Sequence, residues 1–412
     1  MPRSMVLDNL DPNDAYFQKI LHRGLGDDTI QDVQLVEKSP ALKKGENDLS
    51  YLTRFTLKYT CSVLEGLHHK RVHRVAHLIM KEEPDAELQT LEVIRGMGIF
   101  DTERRVLEDV LPKIAELVGK RLGPRVYYSS DKPDTIVMED LATLGFRNKN
   151  RKIGFNEAEM FMVLENIADF HAASVLLNEQ NADCVSCFSN GFFTTKLSEG
   201  VMTFVSQCVE SIGDGVRDWP DEKFVLISDK IKKKSREIVQ KLLLAYQNDA
   251  DELLVLNHGD MWNNNIMFRD DGTGEPEEAC FVDYQMCIWT SPAIDLLQFL
   301  HVAPELTMKM THDDVFLQKY LTRLSSTMKA LGCSTNPPTL EQLKKSMFKR
   351  RDYALLATFF FYPRMEADDD ELENADDMVG KGESAVDFLK NPRVRETMAK
   401  ILPILDERGY LD

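Results

Sequence analysis

The sequence predicts an α+β chain in two lobes, a small antiparallel sheet followed by a large, mainly helical part, and three observations carry that expectation. The chain has 412 residues, more than one hydrophobic core usually serves. From Asp32 to Pro84 polar and apolar residues alternate with period two, the pattern of strands that bury one face. Beyond Asn156 the apolar residues recur at helical spacing instead. The expected division is residues 1–138 for the sheet lobe, 139–146 for a hinge and 147–412 for the helical lobe.

Residues 8–24 open the chain as a short amphipathic helix, with Asn13 or Asp14 near its cap and Gly24 near its stop. Three strand-like runs follow, beginning DVQLVEKSP, LSYLTRFTLKYTCSVLEG and KRVHRVAHLIMKEEP. Turn signals at Gly45 and Gly66 between them predict an antiparallel meander. Lys81 closes the third run after His77-Leu78-Ile79-Met80. A helix begins near Phe100 and carries Glu103 in its first turn. The strand Thr135–Met138 ends on Glu139-Asp140-Leu141, where Glu139 and Asp140 either cap the next turn or belong to a segment whose backbone reads a ligand edge. The helix after Asn156 places Met160, Val163, Leu164, Ile167, Ala168 and Phe170 on one face and ends near His171, which reads as a packed core histidine. Two more helices are expected in 191–249. The basic run Lys230, Lys232, Lys233 and Lys234 in the second reads as a solvated face. Residues 312–412 are helical in pattern, interrupted by an acidic segment from Glu366 to Asp377 that reads as solvent-exposed.

Composition narrows the function classes. There are 68 acidic against 50 basic residues, a net charge of -18, which disfavours general binding to nucleic acid or anionic membranes. The first 30 residues carry five aspartates and no apolar run, unlike a signal or transit peptide, and no stretch approaches the roughly 20 apolar residues of a bilayer span. Seven cysteines without a secretory signal read as reduced thiols in a cytoplasmic protein. Cys184-x-x-Cys187 lacks a second pair or a histidine at zinc spacing and reads as structural.

The chemistry concentrates between Glu252 and Leu297. An apolar run, Leu253-Leu254-Val255-Leu256, leads into His258-Gly259-Asp260, and a second one, Phe281-Val282, ends on Asp283. Asn265 lies in the polar loop between them, five residues after Asp260. One carboxylate in a loop, an amide and a second carboxylate after a strand suit phosphoryl transfer. The first orients an attacking hydroxyl, while the amide and the other carboxylate hold magnesium on nucleotide phosphates.

His258-x-Asp260-x-x-x-x-Asn265 with Val282-Asp283-Tyr284-Gln285 resembles the aminoglycoside phosphotransferase and choline kinase branch of the protein-kinase-like fold. The stretch from His258-Gly259-Asp260-Met261-Trp262 through Asn264-Asn265-Ile266-Met267-Phe268 is more closely similar to the ecdysteroid kinase-like family. The resemblance implies a bilobal kinase-like fold using ATP and Mg2+ to phosphorylate a small-molecule hydroxyl. Asp260 would be catalytic, and Asn265 and Asp283 the metal ligands. The segment Gly45-Glu46-Asn47-Asp48-Leu49-Ser50 is similar to the family's GEN…S run, and the resemblance makes Asn47 and Ser50 part of a phosphate-covering loop; as bare sequence it is equally a hairpin turn. Lys81 would place its charge on the alpha and beta phosphates, held by Glu103. Val106 and Leu107 stand where the family usually has aromatics. Glu139 and Leu141 would flank the adenine, and Asp295 would support the catalytic loop from its helix.

The acceptor implied by the family name is an ecdysteroid or related steroid or xenobiotic alcohol. The alternatives are a choline- or ethanolamine-type acceptor and an inactive nucleotide-binding module. A protein kinase is disfavoured by the missing Gly-rich loop, DFG and APE segments. Tyr353, Phe359, Phe360, Phe361 and Tyr362 read as an ordinary core helix before they read as a pocket.

Overall fold

In a computed structural model of the chain, the structure describes residues 14–41, 49–66, 68–193, 199–367 and 388–412. The chain divides into two units, Met1–Glu92 with Pro124–Gly145, and Val93–Gly123 with Phe146–Asp412. Residues 93–123, placed by sequence with the sheet, therefore belong to the larger unit. Their apolar side chains account for this: Ile99, Phe100, Val106, Leu107 and Ile114 are buried, and the helix Ile99–Arg105 packs against the turn Tyr284–Met286.

The smaller unit opens with helix α1 (Asp14–Leu25), whose Phe17, Ile20 and Leu21 are spaced to share one face and are fully buried. The strands are β1 (Gln31–Pro40), β2 (Tyr51–Glu65), β3 (His68–Glu82), β4 (Val126–Asp131) and β5 (Asp134–Glu139), in the order β1-β2-β3-β5-β4 with every pair antiparallel. The period-two alternation sends Phe55, Leu57, Leu78, Met80 and Val137 to the face covered by α1. The β2–β3 turn is made at Gly66, φ 65°, as expected; Gly45 lies outside the described residues.

Helix α1 does not stop at Gly24. It runs one residue further, and the left-handed residue that follows is Gly26, φ 62°. Gly24 has a different duty, because a Cβ there would collide with the Tyr127 side chain of β4. The helix approaches the sheet this closely only through a glycine.

The larger unit contains α2 (Leu88–Met97, which bridges the division), α3 (Ile99–Arg105), a π-helical turn Val106–Val110 and α4 (Leu111–Val118). Then come β6 (Arg147–Asn148), α5 (Glu157–Gln180), α6 (Glu199–Val216) and α7 (Lys223–Ala245). Strands β7 (Val255–Asn257), β8 (Ile266–Asp270), β9 (Pro276–Phe281) and β10 (Ile288–Thr290) form a β7–β10 pair and a sheet β6-β8-β9. Helices α8 (Ala293–Val302), α9 (Asp313–Leu331), α10 (Leu340–Lys349), α11 (Arg351–Leu356), α12 (Tyr362–Glu366) and α13 (Pro392–Glu407) complete it, with a π-helical turn Ala357–Phe361 between α11 and α12.

Helix α5 starts at an Asn156–Glu159 capping box and is the unit's central helix. By length and composition it could cross a membrane, which the sequence expectation did not allow for, but 78% of its most apolar window is buried inside the protein. Asp169 on it is fully buried. Burial raises its proton affinity, yet Arg323 (2.7 and 2.8 Å), Lys120 (2.6 Å) and Thr327 (2.6 Å) prevail and hold it below the usual carboxylate range.

Two surface expectations change. The lysines of α7 are not merely solvated. Lys230 pairs with Asp406 and Asp412, Lys232 with Asp214, and Lys234 is buried against Asp352 at 3.0 Å. Glu366, taken as the exposed start of the acidic segment, is buried at the end of α12; positions 368–377 lie outside the described residues. Local charge patterns do not reveal the partner helix that neutralises them.

Gly24→Ala is expected to lower stability by about 1–3 kcal/mol, the scale of overpacking, because the clash reaches the ring base of Tyr127 rather than a flexible tip. Chemical denaturation of the variant checks this, and Tyr127→Leu in the same background should recover part of the loss.

Candidate active site

The loop after β7 is shaped by one glycine. Gly259 has φ 80°, and a Cβ there would collide with the Met286 carbonyl oxygen, so the loop can press on the backbone after Asp283 only where no side chain intervenes. Its other side is held by Asp295 on α8. The fully buried carboxylate accepts the His258 N–H at 2.7 Å and the Gly259 N–H at 2.8 Å. His171 donates Nε2–H to Asp295 at 3.1 Å, with Nδ1 2.8 Å from the Tyr320 hydroxyl. His171 is thus a core histidine, as expected, whose position locks the support of the loop. His258 donates Nε2–H to the Val282 carbonyl at 3.0 Å, tying the loop to the end of β9.

Asp260 follows. Its Oδ2 accepts from Asn265 Nδ2 at 2.8 Å and its Oδ1 from Gln298 Nε2 at 3.1 Å. Gln298 Oε1 accepts the Met261 N–H at 3.1 Å, so one buried amide holds both the loop and the carboxylate. Gln298 escaped the sequence reading. The available signal was its place three residues after Asp295, one turn along the same helix face. Desolvation first, and the charge of Asp283 second, push the Asp260 carboxyl up to about 7, against the hydrogen bonds from Gln298 and Asn265 and a weaker pull from the nearby Trp262 side chain, which makes no bond of normal geometry to it.

Asn265 and Asp283 are brought together by main chain. The Val282 N–H donates to the Asn265 carbonyl at 3.0 Å, and Ile266 pairs with Phe281 across β8 and β9. Asp283 itself takes a left-handed conformation, φ 69° and ψ 55°, uncommon for a residue with a Cβ. The carboxylate accepts from Gln285 Nε2 at 3.1 Å. Asn265 spends its amide N–H groups on the Asp260 carbonyl and carboxylate, so its Oδ1 takes no part in that clamp. An amide oxygen beside a carboxylate is a pair of hard donors, so these residues fit a magnesium ion that keeps water and phosphate oxygens as its remaining ligands. Glu103, buried on α3 beside the 284–286 turn, stands in the same unit; its charge raises the proton affinity of buried Cys287 after desolvation and Asp295.

The other sequence candidates belong to the sheet unit. Lys81 is buried on β3, the central strand, paired in register with Leu52 and Ile136. Ser50 at the start of β2 is buried, and its Oγ has no hydrogen-bond partner among the described residues. Asn47 lies outside them. Asp140 does cap the following turn, accepting from the Ala142 N–H at 3.1 Å and pairing with Arg54 at 2.6 Å. The Glu139 and Asp140 amides are spent on the carbonyls of Arg125 and His77, and Leu141 is buried, so an amide reading a ligand edge here would come after Asp140.

Cys184 and Cys187 join no group of three or more metal-ligating side chains among the described residues. Their sulfurs accept from Lys113 at 3.7 Å and Arg105 at 3.0 Å. Tyr353, Phe359, Phe360, Phe361 and Tyr362 are all buried, in keeping with a core helix.

Comparison with curated protein sequences finds none that matches. Among solved structures the chain is similar to the choline kinase from Cryptosporidium parvum Iowa II, at 11% identity and a TM-score of 0.41, over 99% of this chain and 97% of that one. It is similar to the aminoglycoside phosphotransferase APH(2'')-Ib, ADP-bound, at 12% identity and a TM-score of 0.28, over 84% of this chain and 100% of that one. It is also similar to the amicoumacin kinase hAmiN in complex with AMP-PNP, Ca2+ and Ami, at 10% identity and a TM-score of 0.36, over 94% and 99%. Residues 44–333 match the profile of the ecdysteroid kinase-like family, a span that holds the HGDMW loop and the VDYQ strand end, and the chain belongs to that family.

Proposed function

We propose that this chain is an ATP-dependent small-molecule kinase that transfers the gamma-phosphate to an alcohol hydroxyl, with an ecdysteroid or related steroid or xenobiotic alcohol as acceptor. The observation that carries the reading is the fixed carboxylate of Asp260, clamped by Gln298 and Asn265 while Asn265 is bonded to the strand that delivers Asp283. A carboxylate whose proton affinity lies near neutral can hold the hydroxyl proton as the phosphoryl group moves, and its two donors prevent it from swinging out of line. Asn265 and Asp283 would hold magnesium, which when bound supplies positive charge to the nucleotide phosphates. In the sheet unit Lys81 supplies a point charge for the alpha and beta phosphates, Ser50 an uncommitted hydroxyl for the covering loop, and Glu139 and Leu141 the adenine-binding segment. Asn47 is assigned by family pattern alone. A decayed member of the fold would be missing the base or a metal ligand, and this chain keeps both.

The test is ATP consumption with magnesium against a panel of hydroxylated steroids, with choline and ethanolamine as the competing acceptor class. Turnover with choline alone would replace the steroid reading. Asp260→Asn should cut turnover by about 10²–10⁴-fold with nucleotide affinity nearly kept; full activity would remove the assignment. Asp283→Ala is expected to abolish magnesium-dependent ATP binding in calorimetry, and wild-type affinity in that variant would put the metal elsewhere. Lys81→Met and Glu103→Gln should each lower turnover. If the lysine depends on the glutamate for its placement, the double variant is little worse than Lys81→Met alone, whereas independent multiplication of the two losses would separate their roles.

A further inference from the structure

Trp262 is the catalytic-loop side chain to which the reaction assigns no task. It follows Asp260 by two residues, with its N–H bonded back to the Asp260 carbonyl at 3.2 Å. The indole lies against Phe361, ring centroids 6.3 Å apart, and Phe361 meets Phe360 at 5.2 Å and Phe192 at 6.1 Å. Phe360 and Phe361 come from the π-helical turn Ala357–Phe361, a local register change of the kind that often serves a functional site. Within this aromatic layer Phe360 and Phe361 are buried, whereas Trp262 and Phe192 keep part of their surface open.

Two further observations give the layer a chemistry. The Trp262 Nε1–H is buried and has no hydrogen-bond partner among the described residues, although the side chain stabilises the charged form of Asp260. Leaving a buried N–H unpaired costs on the order of 1–3 kcal/mol, a cost recovered if the bond to the base closes when the site is filled, since catalytic hydrogen bonds tighten in the reacting complex. Behind the layer the Arg364 guanidinium lies 4.0 Å from the Phe360 ring centroid and 5.1 Å from that of Phe204. This positive charge, set on the face of Phe360 next to Phe361, disfavours a cationic acceptor beside the layer.

Resting on the kinase reading, we propose that Trp262 is a positioning and specificity-determining residue. Its ring, with Phe192 and Phe361, receives a neutral alcohol carried on an apolar ring system, and its Nε1–H donates to the Asp260 carboxylate once that acceptor is seated.

The experiment compares full-length wild type, Trp262→Phe and Trp262→Leu, using ecdysone and choline as acceptor probes in the ATP-consumption assay and ecdysone in calorimetry. Trp262→Phe keeps the ring and loses the donor, so it should bind ecdysone within about threefold of wild type while kcat falls about tenfold or more, the direction seen when a positioned donor is removed. Trp262→Leu should in addition raise the ecdysone KM and Kd about tenfold. An unchanged kcat in Trp262→Phe overturns the donor role, and an unchanged KM in Trp262→Leu overturns the ring contact. Choline turnover without ecdysone turnover overturns the acceptor class and leaves the kinase reading intact. Ecdysone binding that weakens in Trp262→Leu, with no acceptor ever phosphorylated, supports the ring contact and overturns the kinase reading. Absence of ecdysone binding to wild type overturns the proposal.

Discussion

The carboxylate of Asp295 is the point on which the stretch from His258 to Asp283 depends. Two consecutive loop amides, those of His258 and Gly259, converge on its two oxygens, and His171 donates a third bond from the central helix α5. Consecutive N–H groups point the same way only in a sharply turned backbone, and Gly259 permits that turn while clearing the Met286 carbonyl. Removing the carboxylate would leave two buried amides unpaired, at about 1–3 kcal/mol each, where the backbone must be most exact in its course. The Asp295 amide is itself held by Asn257 Oδ1 at 3.2 Å, and Asn257 Nδ2 reaches the carbonyls of Ile288 and Thr290. The support therefore closes on itself through β7, β10 and the start of α8.

Placing Asp260 involves a contest of terms. Burial and the Asp283 charge favour its neutral form, while its side-chain donors favour the anion, and the outcome near 7 says that burial and repulsion win by a wide margin over the ordinary carboxylate value. The repulsive part depends on Asp283 being unshielded. A cation placed beside Asp283 would remove that part and leave desolvation to act alone, so the proton affinity of Asp260 is sensitive to charge at the neighbouring donors. The left-handed backbone at Asp283 belongs to the same arrangement. Tyr284 is pinned by its hydroxyl to the Leu122 carbonyl at 2.9 Å and the Val282 amide is bonded to Asn265, which leaves Asp283 to absorb the turn between two fixed neighbours.

Much of this was legible in the sequence, and the misses have identifiable causes. The meander could be read because alternation reports directly on which face of a strand is buried; the loop residues Asp260, Asn265 and Asp283 were singled out by their spacing, and the fold brings them together. The support that the family resemblance implied for Asp295 is present, its carboxylate holding the His258 and Gly259 amides. Gln298 was not legible, because an amide on an apolar helix looks like any tolerated polar residue until the Met261 amide and the Asp260 carboxylate are seen to converge on it. Lys234 and Glu366 were misread for the opposite reason: a charge run suggests solvent, and only tertiary structure supplies Asp352 or the burial at the end of α12. Gly24 does lie near the helix end, as read, but Gly26 is the left-handed residue that follows the helix, and the ring of Tyr127 accounts for a glycine at 24.

The hydrogen bonds that set Asp260, Asn265 and Asp283 relative to one another all lie within the larger unit, between β7, the loop, β8, β9 and α8. Residues 93–123 join that unit and bring Glu103 with them, so a glutamate that sequence order places among the strands is anchored with the carboxylates instead. The geometry of Asp260, Asn265 and Asp283 is consequently a property of one hydrophobic core, with α5 and α8 as its rigid members, and side chains held against such elements by secondary contacts keep a narrow positional tolerance. Lys81 and Ser50 belong to the sheet unit, whose strands have a separate core of their own. Packing changes under α1 therefore act on the strands that bear Lys81, whereas Gln298, His171 and Asn257 bear on Asp260 and its loop through hydrogen bonds within the larger unit.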